Sequence, residues 1–287
     1  MIIISIVIAL VMERVFPQLV EFRTFKWLED YSDWMKNAFN IQRMGAWMAV
    51  AVLLSPLFLL AWMISAMFEN ALFGLFELAF NVALVFFCIG PRNIDLDVDR
   101  YLDAIDVGGA QKRAKLASKL VSGTPSLELS KQALQVCKAI LYEANSRVFA
   151  VLFWFVLLGP VAALMYRVLE QLLRRKVLED SLQEIKRVLS EVMGWVDWLP
   201  VRFTLFAYMI GGNFDEGLQA YRTRDDTILD IHEENSQLLK TVGFAALVQH
   251  PIENDQQAMK MVKKARGLFL RALVVWLILV VCISFFV

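Results

Sequence analysis

Four apolar runs of about twenty residues divide this chain, and they leave few architectures open to it. Ala46–Phe68 has no charged residue, and Ala71–Gly90 has only Glu77. Val148–Leu169 carries Arg167 near its end, and Leu268–Val287 carries Arg271 near its start. A helix rises about 1.5 Å per residue, so roughly 20 apolar residues match a hydrocarbon core of about 30 Å. The composition, 58% hydrophobic and 20% charged, departs from the roughly 45–50% and 25% of soluble domains. Regular strand alternation is absent. The expected fold class is all-α: a polytopic integral membrane protein with helical cytoplasmic regions.

Charge and cysteine content exclude other classes. Twenty-nine basic residues balance 29 acidic ones, so no bulk attraction to nucleic acid is expected. Cys88, Cys137 and Cys282 fall in two membrane segments and one polar stretch, which gives no disulfide framework. Met1–Met12 lacks the basic start and small-residue cleavage site of a signal peptide, so it reads as a retained first membrane helix, with a peripheral helix as the alternative.

The runs set out a single domain over 1–287. Membrane-entering segments are expected at about 1–12, 46–68, 71–90, 148–169, 198–212 and 268–287. Cytoplasmic helical regions are expected at about 13–45, 91–147 and 213–267. Aromatics among charges in 21–43 suggest an interfacial helix, and the link Glu69-Asn70 suggests a helical hairpin. Lysines and arginines in 92–147, and Lys260, Lys263, Lys264 and Arg266 before the last run, place both regions in the cytoplasm. Parity then requires either that the shorter stretch Trp198–Gly212 enters the membrane as well as Val148–Leu169, or that one of the two is re-entrant, and the first arrangement is expected. Gly108-Gly109 and Ser122–Pro125 break helices, with Thr124 as N-cap and Pro125 as the first residue of a helix that runs unbroken to Gly159-Pro160.

Several motifs have competing readings. Asp95, Asp97 and Asp99 resemble a calcium loop, but Arg100 stands where that loop needs glycine. A polar face paired with cations explains them more simply. His232-Glu233-Glu234-Asn235 lacks the second histidine of a zinc-protease helix and reads as a solvated face. No metal-ligand set stands out. Glu77, with Asn81 one turn on, is an intramembrane polar pair, either functional or a neutral acid bonded within the bundle. Glu143, Asn145 and Arg147 stand where a helix enters the bilayer, followed by Tyr166 and Arg167. Asp197 and Arg202 open the next apolar stretch across a proline, and these seven residues are the candidate polar cleft. Helix capping and snorkelling account for the same charges without a function. Glu143 and Arg147 share a helix face, and Asp197 is the local partner expected for Arg202.

The order of Glu13-Arg14, Ala150–Trp154, Asp197–Arg202 and Met259–Lys264 resembles the AmpE family over most of the chain. That family is grouped with the CobD/CbiB cobalamin-biosynthesis synthases, membrane enzymes that use ATP and magnesium. The shared pattern covers Gly123, Thr124, Glu143, Asn145, Phe153, Trp154, Gly159, Pro160, Tyr166, Arg167, Asp197, Pro200 and Arg202. It departs where the synthases carry Arg-Asp between Gly123 and Thr124, and where Val196 replaces the first of two aspartates. Magnesium favours hard oxygen ligands, so lost carboxylates bear directly on such a site.

The resemblance implies an inner-membrane protein that modulates β-lactamase induction in cell-wall recycling, linked to the muropeptide amidase AmpD and in contact with membrane lipid. The alternative it implies is an enzyme that acts on an amphiphilic substrate in a magnesium–nucleotide cleft. No cofactor and no catalytic residue follow from the residues alone. A transporter would show internal repeats and several intramembrane charges, which this chain does not.

Overall fold

The computed structural model describes residues 2–16, 23, 25–68, 74–90, 94–107, 109–121, 123–174, 183–224, 230–247, 252 and 254–286. Arg92, Gly108, Ser122, Lys176, His250 and Pro251 lie outside the described residues. Among the described residues every regular element is helical. In chain order these are α1 (Ile2–Val15), α2 (Trp27–Phe39), α3 (Ala46–Phe68), α4 (Leu75–Cys88), α5 (Ile94–Val107), α6 (Ala110–Ala117) and α7 (Leu129–Ala144). After a π-helical turn at Asn145–Phe149 come α8 (Ala150–Leu158), α9 (Pro160–Arg174), α10 (Gln183–Gly211), α11 (Phe214–Arg222), α12 (Ile231–Ala245) and α13 (Asp255–Phe286). Ala46–Met67, Leu129–Leu158 and Asp255–Cys282 are long and apolar enough to cross a membrane. They differ in what covers them: 22% of the most apolar window of the first is buried, 33% of the last, and 78% of the middle one. The middle helix is therefore core, and the other two leave most of their apolar surface uncovered.

Two compact units make up the chain, one from 1–91, 150–197 and 230–232, the other from 92–149, 198–229 and 233–287. In the first, α4 packs on α1 and α9, and α9 also packs on α3 and α8. Ile6 and Ala9 of α1 and Val82, Val85 and Cys88 of α4 are buried there. Tyr31 of α2 donates to the Leu53 carbonyl at 2.8 Å and ties α2 to α3, while Trp27, Trp34 and Phe39 stay exposed. Amphipathic aromatics with this exposure suit the membrane interface.

Three expectations change in this unit. The run expected as one segment over 148–169 is divided between α8 and α9. Gly159 adopts φ 82° after α8, a left-handed conformation that glycine takes without steric cost, and Pro160 opens α9, where its missing N–H costs nothing. Of the segment expected at 71–90, α4 covers Leu75–Cys88 behind Gly74 with φ 79°, while Ala71, Leu72 and Phe73 lie outside the described residues. Glu77 accordingly stands in the first turn of α4 rather than mid-span, where the helix dipole favours a carboxylate. Asn81 follows one turn later and is buried. Finally, α10 runs unbroken through Pro200, so the expected break between Asp197 and Arg202 does not occur.

In the second unit α7 packs along α13, and Tyr208 of α10 donates to the Leu141 carbonyl at 2.7 Å. Phe149 meets Tyr208 and Phe269 edge-on, with centroids 6.1 and 5.8 Å away. The α7 helix begins at Leu129 rather than Pro125. Gln135 accepts from the Ser126 amide at 2.9 Å and Gln132 donates to the Ser126 carbonyl at 2.6 Å, which holds the approach extended through Glu128. The aspartates of 95–99 lie within α5, not in a loop. Residues two apart on a helix differ by about 200°, so Asp97 faces away from Asp95 and Asp99. Asp99 pairs with Arg266 of α13, and Asp97 lies 3.9 Å from Arg100.

Candidate functional site

Of the seven residues expected to form a polar cleft, Tyr166, Arg167 and Asp197 belong to the first unit and Glu143, Asn145, Arg147 and Arg202 to the second. Tyr166 and Arg167 are neighbours on α9, and the turn of about 100° between them sends them to different helices. Tyr166 donates to Asp197 Oδ1 of α10 at 2.9 Å. Arg167, 0% exposed, donates from Nε to the Cys88 carbonyl at 2.6 Å and from Nη1 to Glu170 Oε2 at 2.9 Å. Glu170 also pairs with Arg174 and accepts from Gln171 at 2.8 Å. The spacing 167, 170, 174 follows one helix face.

A second buried guanidinium completes the end of α4. Arg23 Nη1 donates to the Ile89 carbonyl at 2.7 Å and reaches the Gly90 carbonyl and Glu13 at 3.3 Å, with its plane 3.8 Å from the Phe86 ring centroid. The last carbonyls of a helix lack partners within it and carry partial negative charge. Arg167 and Arg23 supply those partners as cations. Burial lowers the Arg23 pKa from its ordinary value, and Glu13 opposes that shift.

In the second unit the end of α7 and its π-helical turn carry the rest. Glu143 and Arg147 are buried and joined at 2.6 Å, the i,i+4 pairing that their spacing predicts. Asn145 accepts from Thr204 of α10 at 2.8 Å. Arg202 lies over the Trp198 ring at 4.7 Å and bonds Asn235 and, at 3.4 Å, Glu234 on α12. Its carboxylate is therefore Glu234 where Asp197 was expected. The two positions are five apart on an unbroken helix, about 140° round it.

Sequence reasoning missed Arg23, Glu170, Thr204, Glu234 and Asn235. Glu170 was legible, standing three residues after Arg167. Glu234 and Asn235 belonged to a stretch expected to be a solvated face, yet Asn235 is 2% exposed. Nothing local marked Thr204 or Arg23, whose partners are distant in sequence.

The resemblance to the synthases raises a magnesium–nucleotide site, which the residues present do not fit. Glu143 is held by Arg147, and Asp197 accepts from Tyr166. Among the described residues no three His, Cys, Asp or Glu side chains stand together as a metal-ligand group. No step is assigned through such an ion.

Long apolar helices together with buried ion pairs define an α-helical protein of the membrane class. The chain belongs to the AmpE family, described as regulatory signalling modulator proteins, which matches residues 1–286. It is similar to Protein AmpE of Shigella flexneri, 26% identical over 68% of this chain and 72% of that protein. It is also similar to the cobalamin biosynthesis proteins CobD of Chromobacterium violaceum and Stutzerimonas stutzeri. Each of these is 27% identical over 62% of this chain, covering 56% and 57% of their lengths. The chain thus spans little more than half the length of those two relatives. No solved structure matches.

Proposed function

We propose that this protein is a multi-pass regulator of the inner membrane that couples cell-wall recycling to β-lactamase induction, acting by binding and not by synthase chemistry. The observation that carries the reading is the AmpE family match across the whole chain. The engagement of Glu143 by Arg147 and of Asp197 by Tyr166 supports it, since both carboxylates already serve the packing. Basic regions at 92–147 and 260–266 face the cytoplasm in this reading, where a muropeptide amidase of the AmpD type is the functional partner and nucleic acid is not. Reporter fusions after Arg43, Lys119 and Lys264 should all report cytoplasm. Deleting the gene in a strain with an inducible β-lactamase should change the amount induced by a β-lactam, and the intact gene should restore it. Unchanged induction in the deletion strain would refute the proposal.

The similarity to CobD proteins favours a second reading, an enzyme that acts on an amphiphilic substrate with magnesium and a nucleotide. Titrating the purified protein with magnesium nucleotides separates the two. Saturable binding would favour the enzyme, and its absence the regulator.

A further inference from the structure

A cavity of about 820 Å³ lies within the first unit, walled by α3, α9 and α10 and by the break between α8 and α9. Its volume falls in the range of about 300–1,000 Å³ typical of ligand pockets. None of the residues that line it is charged. On α3 the wall is a stripe of Ala51, Ser55, Phe58, Trp62 and Ser65. Spacings of three and four keep these on one face. The fourteen helical steps from Ala51 to Ser65 make the stripe about 21 Å long. The facing wall runs along α9 through Met165 to Leu169, with Val192 and Val196 of α10 beside it. This is a long apolar trough, a poor fit for a compact polar metabolite.

The break supplies the polar end. Gly159 closes α8 and Pro160 opens α9, so Ala163 makes the first intrahelical amide bond, to the Gly159 carbonyl at 3.4 Å. The amides of Val161 and Ala162, in the first turn and lining the cavity, have no acceptor within the helix. The Trp154 indole N–H, on the same lining, is buried without an acceptor. Indole nitrogen donates only, and a buried donor left unpaired is costly. The Tyr166 hydroxyl is already committed to Asp197. The trough therefore offers donors at one end of the α9 wall and, apart from the Ser55 and Ser65 hydroxyls of α3, hydrocarbon along the rest.

One wall is α3, a helix long and apolar enough to cross a membrane and largely uncovered by protein. Lipid is the medium around such a helix. We infer that the trough is a binding site for a bilayer phospholipid, with one acyl chain along the α3 stripe and an ester or phosphate oxygen accepting from Trp154 Nε1 and the first amides of α9. A helix N-terminus favours such an oxygen, the more so if it is anionic. The site is independent of the regulatory reading above and of its genetic test.

The test uses the full chain in nanodiscs of phosphatidylglycerol that carries a diazirine on one acyl chain, with irradiation and peptide mapping. Met165 lines the trough, whereas Met63 and Met67, 63% and 73% exposed on α3, lie off it. Labelling should concentrate on Met165. Ala51→Phe and Ala162→Phe fill the trough from opposite walls, so misfolding of one leaves the other informative. Each should reduce labelling of Met165 to background and leave Met63 unchanged. Trp154→Phe should lower the lipid retained through a detergent wash roughly 2- to 10-fold, the worth of one hydrogen bond. Labelling of Met165 no stronger than that of Met63 and Met67, or unaltered by both fillers, would overturn the site and leave only lipid surrounding the protein. Full retention by Trp154→Phe would overturn the placing of the headgroup.

Discussion

Tyr166 donates its phenolic hydrogen to Asp197 Oδ1 at 2.9 Å, and the bond joins α9 to α10 in the interior of the first unit. Both residues are 5% exposed or less. A hydrogen bond to a charged group is worth about 1.5–3 kcal/mol. Tyr166→Phe should destabilise the protein by that amount in denaturant titrations in detergent. Asp197→Asn keeps an oxygen acceptor and should cost less. Equal stability of Tyr166→Phe and the native protein would show that the bond contributes nothing net.

Arg167 binds through two edges of its guanidinium, Nε to the Cys88 carbonyl and Nη1 to Glu170. A lysine has one compact head and cannot reproduce that fork. Arg167→Lys keeps the charge, but a lysine head paired with Glu170 should leave the buried Cys88 carbonyl without this donor. The expected loss is about 1–3 kcal/mol, the cost of an unsatisfied buried group. Thermal denaturation in detergent measures it, and a native melting point would mean that one bond suffices.

What the sequence made legible here was periodic or local. Apolar length announced α3 and α13, and the i,i+4 spacing announced Glu143 with Arg147. The division at Gly159-Pro160 was visible as a breaker, yet hydropathy alone runs straight through it and merged α8 with α9. Pro200 misled in the opposite direction, because a helix stabilised by packing on both sides of a proline can tolerate one lost bond. Pairings such as Thr204 with Asn145, or Arg23 with Ile89, join residues 59 and 66 positions apart. Only the packing of whole helices brings these together, and one sequence holds no local signal of it.

Gly212 marks a close approach of the end of α10 to α12. A Cβ there would clash with the Ala246 carbonyl oxygen and stand 3.0 Å from that of Tyr208, both backbone atoms. The Ala246 carbonyl also accepts from the Asn213 amide at 2.8 Å, so it is not free to move aside. Gly212→Ala should cost about 1–3 kcal/mol, as overpacking does. Gly267, inside α13, has nothing within 4 Å of the same position. Gly267→Ala should stabilise the protein by roughly 0.5–1 kcal/mol. Parallel melting curves of the two variants should therefore move in opposite directions.

Lys240 on α12 bonds Ser236 at 2.7 Å and lies over the Tyr142 ring at 4.9 Å. Desolvation lowers its pKa below the ordinary 10.5, partly opposed by Glu233 and Glu143. Between the folded and unfolded pKa values the unfolded chain binds more protons, so stability rises with pH through that window. Below the window the charged amine is a net cost. Lys240→Met should melt higher than the native protein at neutral pH, and the gap should narrow as pH climbs toward 10.5. A gap that is constant or widens with pH would refute this account.

The π-helical turn at Asn145–Phe149 inserts one residue into what would otherwise be a regular helix from Leu129 to Leu158. Such a turn rotates the downstream helix by about 100° relative to an unbroken α-helix. In this register Asn145 meets Thr204, and Phe149 meets both Tyr208 and Phe269. Deleting Ser146, whose hydroxyl donates to the Glu143 carbonyl at 3.4 Å, should regularise the helix. Glu143 and Arg147 would become three apart and could still pair. Phe149 would rotate away from its aromatic neighbours, at a cost of about 0.5–1.5 kcal/mol for each pair lost. Circular dichroism should show unchanged helix content with a lower melting point. If the deletion variant melts with the native protein, the register of the turn does not set the packing, and Phe149 has an equivalent place to go.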